Sequence, residues 1–191
     1  CSVANSCPVT FNTAGFVISA SANGATATLP SQTAGTASGT YHLRAVQTST
    51  TTKACEAALS GTSNVNWSTT CNNPSTCSAG NLMTLTGNSS VAVAGNPNSG
   101  GAGSTPVSMS FDGNGNAPFS FSYADVGQVT LVANKSAGGA LLSALAGSSN
   151  AFVVKPAGFA LTNIRQSASP NLVNPAAAGA RASHQNRVKM R

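Results

Sequence analysis

The chain has 191 residues, of which 41% are hydrophobic, 5% aromatic and 6% charged, with nine Lys/Arg against three Asp/Glu. Ser and Thr fill 47 positions, so a charge-rich disordered chain and a Glu/Lys/Leu-rich coiled coil or helical bundle are both excluded. No apolar run reaches the roughly 18–20 residues that span a bilayer as a helix.

Along the chain, apolar residues alternate with polar ones, the period of half-buried strands. Phe16, Ile18 and Ala20 form the first such run, and Tyr41, Leu43 and Ala45 alternate against His42, Arg44 and Val46. Leu82, Thr84 and Thr86 follow, then Val91 and Val93. Val107–Phe111, Phe119–Tyr123 and Val129–Ala133 come next. Phe152–Val154 and Phe159–Ile164 close the series. Clusters such as Asn23-Gly24, Asn96–Gly101 and Gly113–Asn116 separate the runs as turns. Only Ala140–Ala146 reads as a helical turn. Strands between Gly/Asn/Pro turns predict an all-β fold, an immunoglobulin-like β-sandwich, with a core of Phe, Val, Leu and Ile.

Five cysteines stand at Cys1, Cys7, Cys55, Cys71 and Cys77. Their spacing lacks the paired C-x2-C or histidine pattern of zinc, and no basic neighbour marks an activated thiolate. Polar surroundings with little charge suit a disulfide framework, and the odd number leaves one thiol over. Fifteen connectivities are open. The expected bridge is Cys55 with Cys71, bracketing the Trp67 segment. The chain opens on Cys1 without a signal sequence, as a lipidated mature end or a cut longer chain would; the cut is the expectation.

The acids are Glu56, Asp112 and Asp125, and the histidines His42 and His184. So few acid–base groups, in unrelated local contexts, argue against an enzyme. Tyr123-Ala124-Asp125-Val126-Gly127 fits either the inter-sheet corner of immunoglobulin-like domains, where the Tyr hydroxyl bonds nearby backbone, or an ordinary hairpin with a Gly turn. Under both, Tyr123, Asp125 and Gly127 are structural, with Asp125 bonding backbone N–H groups. Asp112, Asn114 and Asn116 have a D-x-N-x-N rhythm, a weak calcium candidate. The sixth and twelfth loop positions, Asn116 and Tyr123, break the EF-hand pattern, so a tight turn and no metal are expected. Trp67 is read as core beside a disulfide, and as a sugar-stacking residue only in a second reading, together with Tyr41. Asn66, Asn88 and Asn134 open N-x-S sequons.

Ala14-Gly15-Phe16-Val17-Ile18-Ser19 returns as Ala157-Gly158-Phe159-Ala160-Leu161-Thr162, 143 residues later. If each copy opens a domain, residues 1–13 end a preceding segment and 14–156 form one sandwich. Residues 157–178 then begin a following domain or linker. From 179 the sequence changes character, and 179–191 is read as a basic tail, frameshifted or disordered. Residues 1–178 carry a net +2 and the tail +4, so the folded part is nearly neutral and a nucleic-acid partner is not expected.

Three stretches bear a family likeness: Cys71–Cys77, Phe111–Leu131 and Ser148–Phe159. Through them the chain, over roughly residues 7–178, resembles the MshQ-like proteins associated with mannose-sensitive haemagglutinin type IV pili. The resemblance implies a secreted or outer-surface bacterial protein with immunoglobulin-like segments, longer than this chain. It also implies an adhesive or pilus-associated role, with pilus components or surface glycans as partners. It supplies no catalytic residue and no cofactor. A non-catalytic surface module is therefore the first functional expectation, and a carbohydrate-binding module of a secreted hydrolase the alternative.

Overall fold

The computed structural model describes residues 14–22, 24, 28–49, 51–98, 103–139, 141 and 143–158. The second copy of the repeat from Phe159 onward, the basic tail, Cys1 and Cys7 lie outside the described residues. The chain divides after Ala157.

Thirteen strands are described: β1 (Ala14–Ser19), β2 (Gln32–Thr33), β3 (Tyr41–Thr48), β4 (Cys55–Ala57), β5 (Gly61–Asn73), β6 (Thr84–Thr86), β7 (Ser90–Ala92), β8 (Ala94–Pro97), β9 (Thr105–Phe111), β10 (Asn116–Ser122), β11 (Gly127–Lys135), β12 (Leu145–Ser148) and β13 (Phe152–Lys155). They make two sheets. One runs β1-β3-β10-β6-β7, with β4 also on β3; the other runs β2-β13-β11-β5-β8, with β12 on β11 and β9 on β5. The all-β, immunoglobulin-like sandwich is the observed architecture. Among the described residues no helix is long and apolar enough to cross a membrane.

Alternation explains which side chains enter the core. Tyr41, Leu43 and Ala45 of β3 point inward, as do Phe119 and Phe121 of β10 and Val129, Leu131 and Ala133 of β11; all are buried. Rings then lock the two sheets together. Trp67 on β5 packs against Phe119 on β10 with centroids 5.0 Å apart, and Phe121 meets Phe152 on β13 at 5.4 Å. Each such aromatic pair adds about 0.5–1.5 kcal/mol beyond the area it buries.

Strands β2, β4, β5, β8 and β12 stand outside the expected series, and two of them have a clear physical reason. The longest strand, β5, is absent from the expected series, because its outer face is Asn/Ser/Thr and its inner row mixes Val65 and Trp67 with a buried Thr69. The Thr69 hydroxyl reaches Met83 Sδ at 3.6 Å. The expected helical turn over Ala140–Ala146 ends instead in strand β12, paired with β11 from Lys135↔Leu145 to Val132↔Ser148. Small residues suit that place for another reason: β12 lies against β1. A Cβ on Gly15 would sit 3.3 Å from the Ala146 carbonyl oxygen, and one on Gly147 would run into the Phe16 carbonyl.

Between β12 and β13 the ladder to β11 is maintained by a side chain. The Leu131 N–H donates to Ser149 Oγ at 3.0 Å while Ser149 N–H donates to the Leu131 carbonyl at 2.9 Å. Next to it, Asn150 ties the segment before β2, accepting from Leu29 N–H at 2.7 Å and donating to the Leu29 carbonyl at 3.1 Å.

Candidate functional site

The loops at the end of the sandwich where β5 finishes and β11 begins converge on one corner. β10 belongs to one sheet and β11 to the other, so Tyr123–Val126 crosses between sheets, the geometry of an inter-sheet corner rather than of a hairpin within one sheet. Gly127 takes φ +139°, and a Cβ there would stand 2.5 Å from the Asn73 carbonyl oxygen. Only glycine accommodates both the backbone angle and that approach.

Cys71 and Cys77 form a disulfide across this corner, with Cα atoms 5.3 Å apart. The expected Cys55–Cys71 bridge is therefore corrected. Cys55 lies on β4, paired with Thr48 of β3 in the other sheet, and is an exposed free thiol. The Tyr123 hydroxyl sits 3.7 Å from Cys71 Sγ; a disulfide sulfur has no proton, so the phenol is the donor. In the inter-sheet-corner alternative this hydroxyl bonds nearby backbone; here its partner is the bridge sulfur. Burial, and then the Asp125 charge, push the Tyr123 hydroxyl pKa above the usual phenol value. Cys77 Sγ lies 3.3 Å from the Asn96 carbonyl oxygen, a contact without a proton to share.

Asp125 holds the loops together. Its carboxylate accepts from Ser78, from Val126 N–H at 2.8 Å and from Asn81, and these donors, Ser78 foremost, hold its pKa below the ordinary aspartate value. Ser78 and Asn81 lie more than forty residues upstream in the sequence. Other loops join by backbone bonds: Gly35 N–H to the Tyr123 carbonyl at 2.8 Å and Asn98 N–H to the Ser75 carbonyl at 2.8 Å. Between Cys71, Pro74, Tyr123 and Gly127 remains a shallow pit with room for about one water molecule. Around it the chemistry is one of fixed loops and exposed polar tips, with Val126 exposed at its rim.

The two stacking candidates do not reach solvent. Trp67 is 0% and Tyr41 5% exposed. Tyr41 stacks on Phe121 at 5.5 Å and its hydroxyl accepts from Gln32 Nε2 at 2.7 Å. The proposed sugar-stacking role of Trp67 and Tyr41 is overturned by burial: both fall on inward positions of their strands. The ring partner of Trp67 is Phe119.

Asp112, Asn114 and Asn116 form a turn. Asp112 Oδ1 accepts from Asn114 N–H and Asn116 N–H, both at 2.8 Å, and Asn116 Nδ2 lies 3.4 Å from both carboxylate oxygens. The Asn116 backbone bond is the main cause of a lowered Asp112 pKa, with smaller help from Asn114 and the positive charge of Arg44. A carboxylate already taken by amides, with a guanidinium near, is poorly placed to hold calcium, so the calcium candidate is not supported by the geometry. Among the described residues no three His, Cys, Asp or Glu side chains gather into a metal-binding group. His42, in the row of β3 that alternates with the core residues, is half-buried, with Nδ1 enclosed and unpartnered.

Comparison with known proteins gives one family. The model described as "Domain of unknown function (DUF6701), first Ig-like domain" matches residues 1–148. No curated protein and no solved structure matches the chain.

Proposed function

The chain belongs to the DUF6701 family, and from that premise we propose that it is a non-catalytic module of a bacterial cell-surface or pilus-associated, adhesin-like protein of the MshQ-like kind. The observation that carries this reading is the employment of the acids. Asp112 closes its own turn, Asp125 ties loops, and Glu56 accepts from Gln47 Nε2 at 3.0 Å on the surface. A hydrolase needs a carboxylate or base aimed at an open site, and each of these three acids is spent on loop or surface bonding.

A disulfide and a surface rich in Ser, Thr and Asn fit an extracellular address, which is the location proposed. The module acts as a stiff spacer whose loop tips present polar contacts to pilus components or surface glycans; nucleic acid is not a proposed partner. Residues 157–178 are proposed to begin a following domain or a linker. In a bacterium encoding the protein, an antibody to this module is expected to label intact cells, and deletion of the gene to reduce attachment. Labelling only after lysis, with attachment unchanged, would overturn the proposal.

The carbohydrate-binding alternative loses its two stacking residues to the core. On a glycan array Trp67→Ala is expected to act as a folding mutant, destabilising by about 3–5 kcal/mol. Sugar binding that disappears in a still-folded Trp67→Ala protein would restore that alternative.

A further inference from the structure

The sequence holds two Asn-Gly pairs, Asn23-Gly24 and Asn114-Gly115. The second stands in the turn between β9 and β10. An Asn-Gly pair is open to a reaction within the chain itself. The backbone nitrogen of the glycine attacks the asparagine Cγ, and no Cβ stands in its way. Ammonia leaves, a cyclic imide forms, and water opens it to aspartate or to isoaspartate, whose main chain runs through the side-chain carbon. No oxidant, metal or second protein is needed.

The turn shows both the reactive pair and what restrains it. Asn114 is exposed, so its side-chain amide is open to water. Gly115, which supplies the attacking nitrogen, is buried. At φ +78° it passes so close to β3 that a Cβ would stand 2.5 Å from the Ala45 carbonyl oxygen. Its N–H donates to the Asp112 carbonyl at 3.0 Å, and its carbonyl accepts from Ala45 N–H at 2.8 Å. The residues on either side are held by a single oxygen: Asp112 Oδ1 accepts from Asn114 N–H and Asn116 N–H, each at 2.8 Å. A nitrogen whose proton is shared with a carbonyl, in a peptide fixed on both sides, is a poor nucleophile. Ring closure therefore waits on local opening of the turn, and opening must break the bonds that Asp112 accepts.

We infer that Asn114 is a deamidation site that Asp112 holds closed. While the turn is shut, the Gly115 nitrogen is kept from the Asn114 side chain; when it opens, the imide forms. The change runs one way. A carboxylate at position 114 shares the turn with Asp112, and the two negative charges repel. In the isoaspartate product the rerouted main chain also carries the Gly115 carbonyl away from Ala45 N–H. Deamidation thus loosens the tie between this turn and β3.

Peptide mapping by mass spectrometry, with aspartate and isoaspartate at position 114 resolved by chromatography, tests this on the full chain held at mildly alkaline pH. In the folded protein Asn114 is expected to react about a hundredfold more slowly than in the same chain unfolded in urea. Asp112→Ala, with a melting curve to verify that it is folded, is expected to react at least about tenfold faster than the folded parent. Asp112→Asn keeps an oxygen able to accept from both N–H groups, and its rate is expected to fall between the two. If Asp112→Ala does not fold, the parent decides: sub-denaturing urea is expected to speed Gly115 amide exchange and the Asn114 reaction in proportion. Reaction in the folded parent as fast as in the unfolded chain overturns the inference. So does a folded Asp112→Ala protein that reacts at the parent rate, or a reaction that does not follow Gly115 exchange.

Discussion

The two ends of the sandwich each contain an aspartate with a lowered pKa, but they are built in different ways. At the hairpin end, Asp112 bonds residues two and four positions away in its own loop. At the disulfide end, Asp125 bonds Ser78 and Asn81, Tyr123 bonds Cys71, and Gly35 and Asn98 join by backbone bonds to segments remote in sequence. At one end the aspartate closes its own turn, which a bond from Ala45 N–H to the Gly115 carbonyl at 2.8 Å ties to β3; at the other it belongs to a clasp between strand connections. A local motif can be lost without disturbing other loops, whereas removing one tie of the clasp loosens several.

The largest expected effect lies in the clasp. Gly127→Ala must adopt φ +139° and displace the Asn73 carbonyl, so a loss of about 3 kcal/mol or more is expected in urea unfolding. A loss under 1 kcal/mol would show that the corner yields easily. Next comes Cys71→Ser/Cys77→Ser. The bridge closes a loop with a sequence separation of six, for which chain entropy gives about 2 kcal/mol. Cys55→Ser, at an exposed free thiol, is expected to stay within about 0.5 kcal/mol; the reverse order would break the assignment of the bridge.

A smaller effect separates the two carboxylates by pH. Both have folded pKa values below their unfolded ones, so the unfolded chain binds more protons in acid and stability rises with pH there. Their contribution is fully present above the unfolded value of about 3.9 and is lost as pH falls through the folded value. Asp125→Asn and Asp112→Asn should each flatten this acid limb while leaving stability between about pH 6 and 8 less pH-dependent than the limb itself. Asp112 is exposed and Asp125 half-buried, so screening by solvent keeps the effect small. An acid limb unchanged in both variants would show that neither carboxylate is held by its donors.

The same contrast explains what could be read from the sequence. Strands such as β3, β9, β10 and β11 were legible because their inward rows are apolar: Val107, Met109 and Phe111 alternate with Pro106, Ser108 and Ser110. The Asp112 turn was legible because the hydrogen-bond partners of its carboxylate lie within four residues. β5 was hidden by Thr69, a polar side chain buried on the inward row. Trp67 is in the core as its sequence context predicts, but its ring partner Phe119 stands on the other sheet and has no signal near Trp67 in the sequence. The Cys71–Cys77 pairing was not legible: fifteen connectivities were open, and only the sheet assignment of Cys55 separates it from Cys71. Ser78 and Asn81 carried no signal beyond being polar turn residues, because their partners are set by how the loops and sheets meet.

Hydrogen exchange on the Cys71→Ser/Cys77→Ser protein tests the contrast between the two ends most directly. The amides of Gly35, Asn98 and Val126, each tied into the disulfide end, are expected to lose protection, while those of Gly115 and Asn116 in the hairpin turn keep theirs. Equal loss at both ends, or no loss at Gly35 and Asn98, would contradict the account.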